Sequence, residues 1–259
     1  MVVDLEIPPA TEAAPDCTAL GPQKWLVFQY APVALFSLKM SRATSTAGKS
    51  LLIPTPYAAK MALVDVALRH GLVGDPDWFI GNLAKSDLRI GAPLDACITS
   101  TIQAVRQETR DVDRKSRPEL PPYRPNIAMR DVVHWRGILQ LAFDVRLCDA
   151  DVTPLLIGAA PAINYFGKRG SFVQYLCARR LDALDGTYTR PFREGTPIPP
   201  GCHRAVLDDF GPAANFIALN TFSNSEIRSG VHRSFVDTVV PFAVHNFGAG
   251  FVHYRSASV

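Results

Sequence analysis

The first hydrophobic segment of the chain runs from Lys24 to Leu38 and is dense in valine, phenylalanine, tyrosine and leucine. Such a run is typical of a buried strand. We expect either one buried strand or a strand broken at Pro32, because proline lacks the N–H that a sheet ladder needs. Residues 1–22 are rich in proline, alanine and acidic residues and show no hydrophobic period. We therefore expect a flexible tail over 1–22, with the fold starting after it.

The next segment carries the clearest helical pattern. Met61, Val64 and Leu68 recur at helical spacing. Thr55 precedes them as a good N-cap, a proline follows it at the first helical position, and Gly71 supplies a stop. The pattern predicts a helix between Thr55 and Gly71.

Two further strands are indicated by alternating apolar and polar residues, at Ala96–Gln107 and Ile138–Leu147, and they are candidates to pair with each other. The segment between them is interrupted by prolines, and its arginines and lysines outnumber its acidic residues. Connections of this length in compact domains are usually functional or disordered. We therefore expect a long, irregular, basic excursion between two strands.

The rest of the chain predicts short elements. Residues 151–161 favour a short helix, and 162–176 favour a strand, a glycine-bounded basic turn and a second strand. The C-terminal part is rich in proline, glycine and aromatic residues, with strands expected at 206–210, 215–222 and 234–244. The predicted division is a tail at 1–22, a domain at 23–180 with an insertion over about 104–136, and a smaller β-rich region at 181–259.

Composition indicates an ordinary globular protein, with 47% hydrophobic and 20% charged residues. The sequence lacks both an apolar run long enough to span a membrane and the basic start of a secretory signal, so we expect a soluble cytoplasmic protein. The five cysteines are scattered and form no C-x-x-C pair. They predict neither a disulfide framework nor a zinc site, but reduced and mostly buried thiols.

Charge is unevenly distributed, although the net charge is only +3. Cys17–Val64 and Val152–Leu181 contain no acidic residue, and their cations include Lys39, Arg42, Lys49, Lys60, Lys168 and Arg169. If the two segments meet, they form one positive face suited to a phosphate backbone. The alternative is two separate solvated surfaces. Lys60 lies near the start of the predicted helix, where the helix dipole disfavours a cation and favours an anion. A phosphate bound there would offset the unfavourable interaction between the Lys60 charge and the dipole.

Motifs for nucleotide hydrolysis and metal catalysis are incomplete. Residues 43–50, ATSTAGKS, nearly match a phosphate-binding loop, but Ala43 replaces its first glycine and no helix follows directly. The six histidines show no metal-ligand spacing. His134, which lies beside Trp135 in a basic context, is a candidate general base or a structural histidine. Three pieces, FQY, YFGKRGSF and HWRG, interleave aromatic residues with polar and cationic ones, a composition that suits base stacking and phosphate neutralisation.

Taken in order, three segments resemble the fifth CRISPR-associated protein family, the RAMP-type subunit at the 5′ end of the guide RNA in type I surveillance complexes. They are GKSLLIPTPYAAKMALVDVALRHG at 48–71, PNIAMRDVVHWRGILQLAFDV at 125–145 and LLIGAAPAINYFGKRGSF at 155–172. The first resembles the family's Pro-Thr-Pro turn and first helix. The second resembles the end of its thumb insertion, and the third its helix, strand and aromatic-Leu-Gly-Arg turn.

The resemblance implies an α+β, ferredoxin-like core with a basic thumb, followed by the smaller β-rich region. It implies a cytoplasmic ribonucleoprotein of antiviral defence that binds the 5′ handle of the crRNA and contacts backbone and large subunits, with target DNA met indirectly and with no membrane partner. No catalytic residue, metal or cofactor is expected. The expected RNA-binding residues are Lys39, Arg42, Lys49, Tyr57, Lys60, Arg106, Arg110, Arg114, Lys115, His134, Trp135, Lys168 and Arg169.

Two alternatives remain open at this point. One is a metal-independent endoribonuclease that processes precursor crRNA, using His134 or Tyr30 with Lys39 or Lys49. The other is the equivalent RNA-binding subunit of a type III or type IV complex.

Overall fold

A computed structural model of the protein describes residues 24–40 and 47–256. The predicted tail at 1–22 and Arg42 lie outside this range. The described residues form a mixed α/β fold with mainly antiparallel sheets and more strand than helix. The predicted α+β class is confirmed in this coarse form.

The strands are β1 (Trp25–Pro32), β2 (Ala47–Gly48), β3 (Asp87–Gly91), β4 (Asp95–Glu108), β5 (Tyr123–Arg136), β6 (Leu139–Asp144), β7 (Val173–Leu181), β8 (Arg190–Pro191), β9 (His203–Phe210), β10 (Arg233–Val240), β11 (Phe242–Gly248) and β12 (Phe251–Ser256). The helices are α1 (Pro56–Arg69), α2 (Pro76–Lys85), α3 (Asp111–Ser116), α4 (Val152–Ala159) and α5 (Phe216–Leu219), with a 3-10 helix at Ala160–Ala162. In the described part of the chain, no helix has the length and apolar character needed to cross a membrane.

A four-stranded antiparallel sheet in the order β3-β6-β1-β7 forms the centre of the fold. Helix α1 lies in the connection from β1 to β3, and α4 lies in the connection from β6 to β7. Alternate residues of β1, Leu26, Phe28 and Tyr30, are fully buried in one core with Leu63 of α1 and Leu156 of α4. The period of two along the strand thus places one face of the sheet against the helices.

Helix α1 confirms its sequence prediction. The Thr55 hydroxyl accepts a hydrogen bond from the backbone N–H of Ala58 at 3.1 Å, with Pro56 at the first helical position. His70 caps the C-terminus, and Gly71 follows with φ of +63°, a left-handed conformation that glycine adopts without strain.

The predicted basic excursion is a long β-hairpin. Strands β4 and β5 pair in continuous antiparallel register from Asp95 with Arg136 to Glu108 with Tyr123. The expectation of an irregular segment is therefore wrong for 123–136, because these residues form β5. The proposed pairing of the strands at 96–107 and 138–147 is also wrong. β4 pairs with β5 and β12, whereas β6 pairs with β1 and β3.

The C-terminal strands contribute to two sheets. β8, β10 and β9 form a three-stranded antiparallel sheet, and β11 and β12 extend the sheet of the hairpin in the order β11-β12-β4-β5-β2. The strand predicted at 215–222 is wrong, because the Asn215 side chain accepts a hydrogen bond from Ala218 N–H at 2.9 Å and starts helix α5. The four cysteines in the described range are half-buried, so the expectation of mostly buried thiols is wrong.

Candidate nucleic-acid interface

The two acid-free segments lie side by side. The backbone N–H of Ser37 donates to the Ser171 hydroxyl at 3.1 Å, and that of Val33 donates to the Phe172 carbonyl at 3.1 Å. A Cβ placed on Gly167 would lie 2.9 Å from the Leu38 side chain, so the Gly167 backbone packs closely against that side chain. The predicted contact between the two segments is confirmed at 33–38 and 167–172, and the positive face that they would share stays a prediction.

Lys39 and Lys49 sit on a short antiparallel ladder. Met40 N–H donates to the Lys49 carbonyl at 3.1 Å, and Leu51 N–H donates to the Leu38 carbonyl at 2.8 Å. Both lysines are exposed, whereas Leu51 is buried in the core. The ladder therefore fixes the backbone of both lysines while their ammonium groups face solvent.

A glycine-rich turn presents the cations of the second segment. Phe166 is fully buried and packs edge-on against Tyr30, with ring centroids 5.1 Å apart. Lys168 and Arg169 follow it and are exposed. Gly167 has φ of +71°, a left-handed conformation that glycine adopts without strain. The buried ring anchors one end of the turn, so the two cations project from a fixed base.

Lys60 is not part of this surface. Its side chain is 0% exposed, and its ammonium donates to the Ser86 carbonyl at 3.0 Å and lies 2.8 Å from Oδ1 of Asp209. Burial raises the pKa of the Asp209 carboxyl, although the nearby Lys60 charge acts in the opposite direction. An enclosed, already neutralised ammonium does not reach a phosphate, so this placement does not support Lys60 as an RNA contact.

Tyr57 lies at the start of α1 and is half-buried. The Arg233 guanidinium stacks over its ring with Cζ 4.5 Å from the centroid, and Phe210 packs edge-on at 5.5 Å. Burial raises the pKa of the Tyr57 phenol, an effect that the Arg233 charge partly offsets. Arg233 itself binds Asp208, which is buried. Sequence reasoning missed Arg233, because nothing local relates it to Tyr57.

His134 and Trp135 point to opposite sides of β5. His134 is exposed, whereas Trp135 is buried, stacks on Phe36 at 4.3 Å and donates its Nε1–H to the Leu52 carbonyl at 2.7 Å. Trp135 thus has a core role, and its placement does not support RNA stacking.

Tyr30, a candidate of the endoribonuclease alternative, is fully buried, and its hydroxyl donates to the Ala160 carbonyl at 3.0 Å. Burial raises the pKa of this phenol well above its ordinary value, so Tyr30 is not placed to act as a base. Within the described residues, no group of three or more His, Cys, Asp or Glu side chains is arranged to hold a metal ion.

The predicted cations of the hairpin are exposed. They lie at the end of β4 and around α3, and they are Arg106, Arg110, Arg114 and Lys115. Two acidic residues in the first turn of α3, Asp111 and Asp113, accompany them. The neck of this loop is closed by the Thr109 hydroxyl, which donates to the Pro121 carbonyl at 2.6 Å.

A second row of basic side chains follows β5. Arg124, Arg130, His134 and Arg136 are separated by even numbers of residues, and therefore share one face of the strand. Sequence reasoning noted the excess of arginines and lysines in this segment without selecting Arg124 or Arg130 as binding residues. The even spacing was the available signal, but it has meaning only once the segment is known to be a strand.

A cleft of about 440 Å³ opens beside Lys39 and the glycine turn. One face of α1 forms its floor, with Ala58, Met61 and Ala62 among its residues, and Ile163 and Leu219 close the sides. Its polar wall comprises Tyr57, Asn164, Tyr165, Asp208 and Arg233, and its rim includes Lys39 and Gly167.

Comparison with known proteins finds similarity among solved structures. No protein-family model matches the sequence, and no curated protein matches it. Among solved structures, the chain is similar to a CRISPR protein from Archaeoglobus fulgidus, with a TM-score of 0.44 and 12% sequence identity over 90% of this chain and 92% of that one.

Proposed function

We propose that this chain is a non-catalytic RNA-binding subunit of a type I CRISPR surveillance complex, where it caps the 5′ handle of the crRNA. The observation that carries the proposal is the junction of the two acid-free segments. It brings Lys39 and Lys49 on one ladder next to the turn with Lys168 and Arg169, all four exposed. A cluster of solvated cations without acidic residues in the same segments suits a phosphate backbone.

The order of elements supports the family that the sequence resembles. The four-stranded sheet and its two helical connections follow the pattern βαββαβ, with the strands in the order 2-3-1-4, which is the pattern of a ferredoxin-like core. The β4–β5 hairpin interrupts this pattern between its second and third strands, near the place that the resemblance assigns to the thumb.

The far part of the hairpin supports a protein partner as well. Ile102 pairs with Met129, and Ala104 pairs with Ile127, so these four residues share one face. Ile102, Ile127 and Met129 are 73%, 67% and 50% exposed. A two-stranded ribbon with an uncovered apolar face is marginal alone, and such faces mark contact sites. A neighbouring backbone or large subunit is the partner we propose for it.

The proposal is tested by direct binding and by the fate of the RNA. Purified protein is incubated in chelator with labelled RNA carrying the 5′ handle of the associated CRISPR repeat, and with a shuffled RNA of equal length. We expect tighter binding of the handle RNA and no cleavage of either. Metal-independent cleavage that is lost in His134→Ala would instead favour the endoribonuclease alternative, and equal binding of both RNAs would contradict handle recognition.

A further inference from the structure

The cleft beside Lys39 has the composition of a site for a flat, partly apolar ligand. Its floor is the face of α1 formed by Ala58, Met61, Ala62 and Val66, which lie at helical spacing. The two alanines are small, and their short side chains leave the floor open. Ligand sites are typically apolar concavities of 300–1,000 Å³ with a few fixed polar groups, and a volume of about 440 Å³ lies within that range.

The polar wall of this cleft offers a stacking platform. The Tyr57 ring is held by Arg233 on one face and by the edge of Phe210. The Arg233 guanidinium is held in turn by Asp208. Aromatic rings and guanidinium planes are the surfaces on which proteins stack unpaired bases. A preformed pair of this kind loses little side-chain freedom when a ligand arrives.

Charge at the cleft favours an anionic ligand. Its wall carries Lys39, Arg69 and Arg233 against two carboxylates, Asp65 and Asp208. Each carboxylate is already bound by an arginine, Asp65 by Arg69 at 2.9 Å and Asp208 by Arg233. The remaining cation, Lys39, stands at the rim, where the cleft meets the glycine turn that carries further exposed cations.

We propose that the cleft accepts one unstacked nucleobase of the bound RNA, stacked on the Tyr57–Arg233 pair, while Lys39 and the neighbouring turn hold the adjoining phosphates. This inference rests on the proposed RNA binding and adds to it a base-accepting subsite. A flat base fits the open α1 face, and the phosphate attached to it meets cations at the rim. With this subsite, the affinity for a ligand depends on the presence of a base. The cationic surface alone would bind only the phosphate backbone of the RNA.

The test uses ribonucleoside 5′-monophosphates of the four bases, with ribose 5-phosphate as the baseless ligand, measured by calorimetry or saturation-transfer NMR. Stacking of one base is worth about 5- to 140-fold in affinity. We expect at least one nucleotide to exceed ribose 5-phosphate by a factor in this range. Ala62→Trp, which fills the cleft, and Tyr57→Leu, which removes the ring but keeps a good helix former, should both abolish the preference.

Gly81→Trp is the matched control, because it adds an indole on α2 where a Cβ meets no atom within 4 Å. This variant should keep the wild-type preference. The inference is overturned if no nucleotide binds wild type better than ribose 5-phosphate, or if folded Ala62→Trp and Tyr57→Leu both keep the preference. Handle RNA measured in parallel separates the two proposals. If wild type binds handle RNA but shows no preference for any nucleotide over ribose 5-phosphate, only the base-accepting subsite is overturned. If wild type shows neither RNA binding nor nucleotide preference, the proposed function is overturned as well.

Discussion

The Lys60 ammonium lies 2.8 Å from Oδ1 of Asp209 and joins helix α1 to strand β9, across 149 residues of sequence. The same ammonium donates to the Ser86 carbonyl, at the end of α2. The lysine side chain is fully enclosed, and the Asp209 side chain is 22% exposed. This contact therefore ties the three-stranded sheet of β8, β9 and β10 to helices α1 and α2.

Replacing Lys60 by methionine should lower the free energy of unfolding by about 3 kcal/mol, because it leaves the largely enclosed Asp209 carboxylate without its Lys60 partner. The double variant Lys60→Met/Asp209→Asn should recover part of the loss, since it removes the unpaired charge. Urea unfolding measures both. Lys85→Met, at an exposed position of α2, is the control and should stay within about 0.5 kcal/mol of wild type. Wild-type stability in Lys60→Met would show that the pair does not hold the sheet.

Asp95 gives the fold a pH dependence. Burial raises the pKa of this carboxyl, but hydrogen bonds from Arg136, His253 and Arg255 outweigh that effect and lower it overall. A lowered pKa in the folded state means that the ionised form contributes stability above the unfolded pKa, near 3.9, and loses it as pH falls through the folded value. Asp95 joins β4, β5 and β12, so this contribution concerns the hairpin sheet.

Asp95→Asn should therefore be less stable than wild type by about 1–2 kcal/mol at pH 7. The difference should hold down to about pH 5 and shrink as the pH falls below about 4. Urea unfolding between pH 3 and pH 8 measures it, with the exposed Glu226→Gln as a control that follows wild type. A difference that grows toward low pH would contradict the assignment.

Local sequence signals predicted the elements that depend on local contacts. Helix α1 was found because its cap, proline, period and terminal glycine lie within 17 residues, from Thr55 to Gly71. The segment at 215–222 was assigned to the wrong element because the cap formed by Asn215 outweighs the β-propensity of its neighbours. The strand β5 was missed because the prolines before it, its own Pro125 and its charges are typical of a loop, and only its pairing with β4 makes it regular.

In the candidate site, likewise, only the features that depend on local sequence were predictable. The exposed Lys39, Lys49, Lys168 and Arg169 were found from the absence of acids around them. The burial of Lys60 was not predictable, since its partner is remote in sequence. For the same reason, the stacking of Arg233 on Tyr57 and the burial of Trp135 could not be predicted from the sequence.

The apolar face of the hairpin should be needed for assembly and not for folding. Ile102→Thr/Ile127→Thr keeps two β-branched side chains at exposed strand positions, so unfolding of the isolated protein should change by less than about 0.5 kcal/mol. Co-expression with the neighbouring subunits, followed by size-exclusion chromatography, should show loss of the complex. Ile217→Thr, at a 64% exposed position outside the hairpin, should assemble normally. Normal assembly of the double variant would show that this face is not the contact.

The central claim is that the junction of the two acid-free segments binds the RNA backbone. Its most direct test is the slope of log affinity for handle RNA against log salt concentration. Replacing Lys39, Lys49, Lys168 and Arg169 together by alanine should weaken binding and reduce the magnitude of that slope by about 2–3, since each phosphate contact in single-stranded RNA contributes about 0.7. Folding should be retained, because exposed charges contribute little stability.

The matched control replaces four exposed cations elsewhere, Lys85, Arg190, Arg193 and Arg228, by alanine. It changes the net charge by the same amount, so a general loss of attraction would affect both variants equally. We expect a flattened salt slope in the first variant and a near wild-type slope in the second. An unchanged slope in a well-folded first variant, or equal flattening in both, would contradict the claim that the RNA lies on this junction.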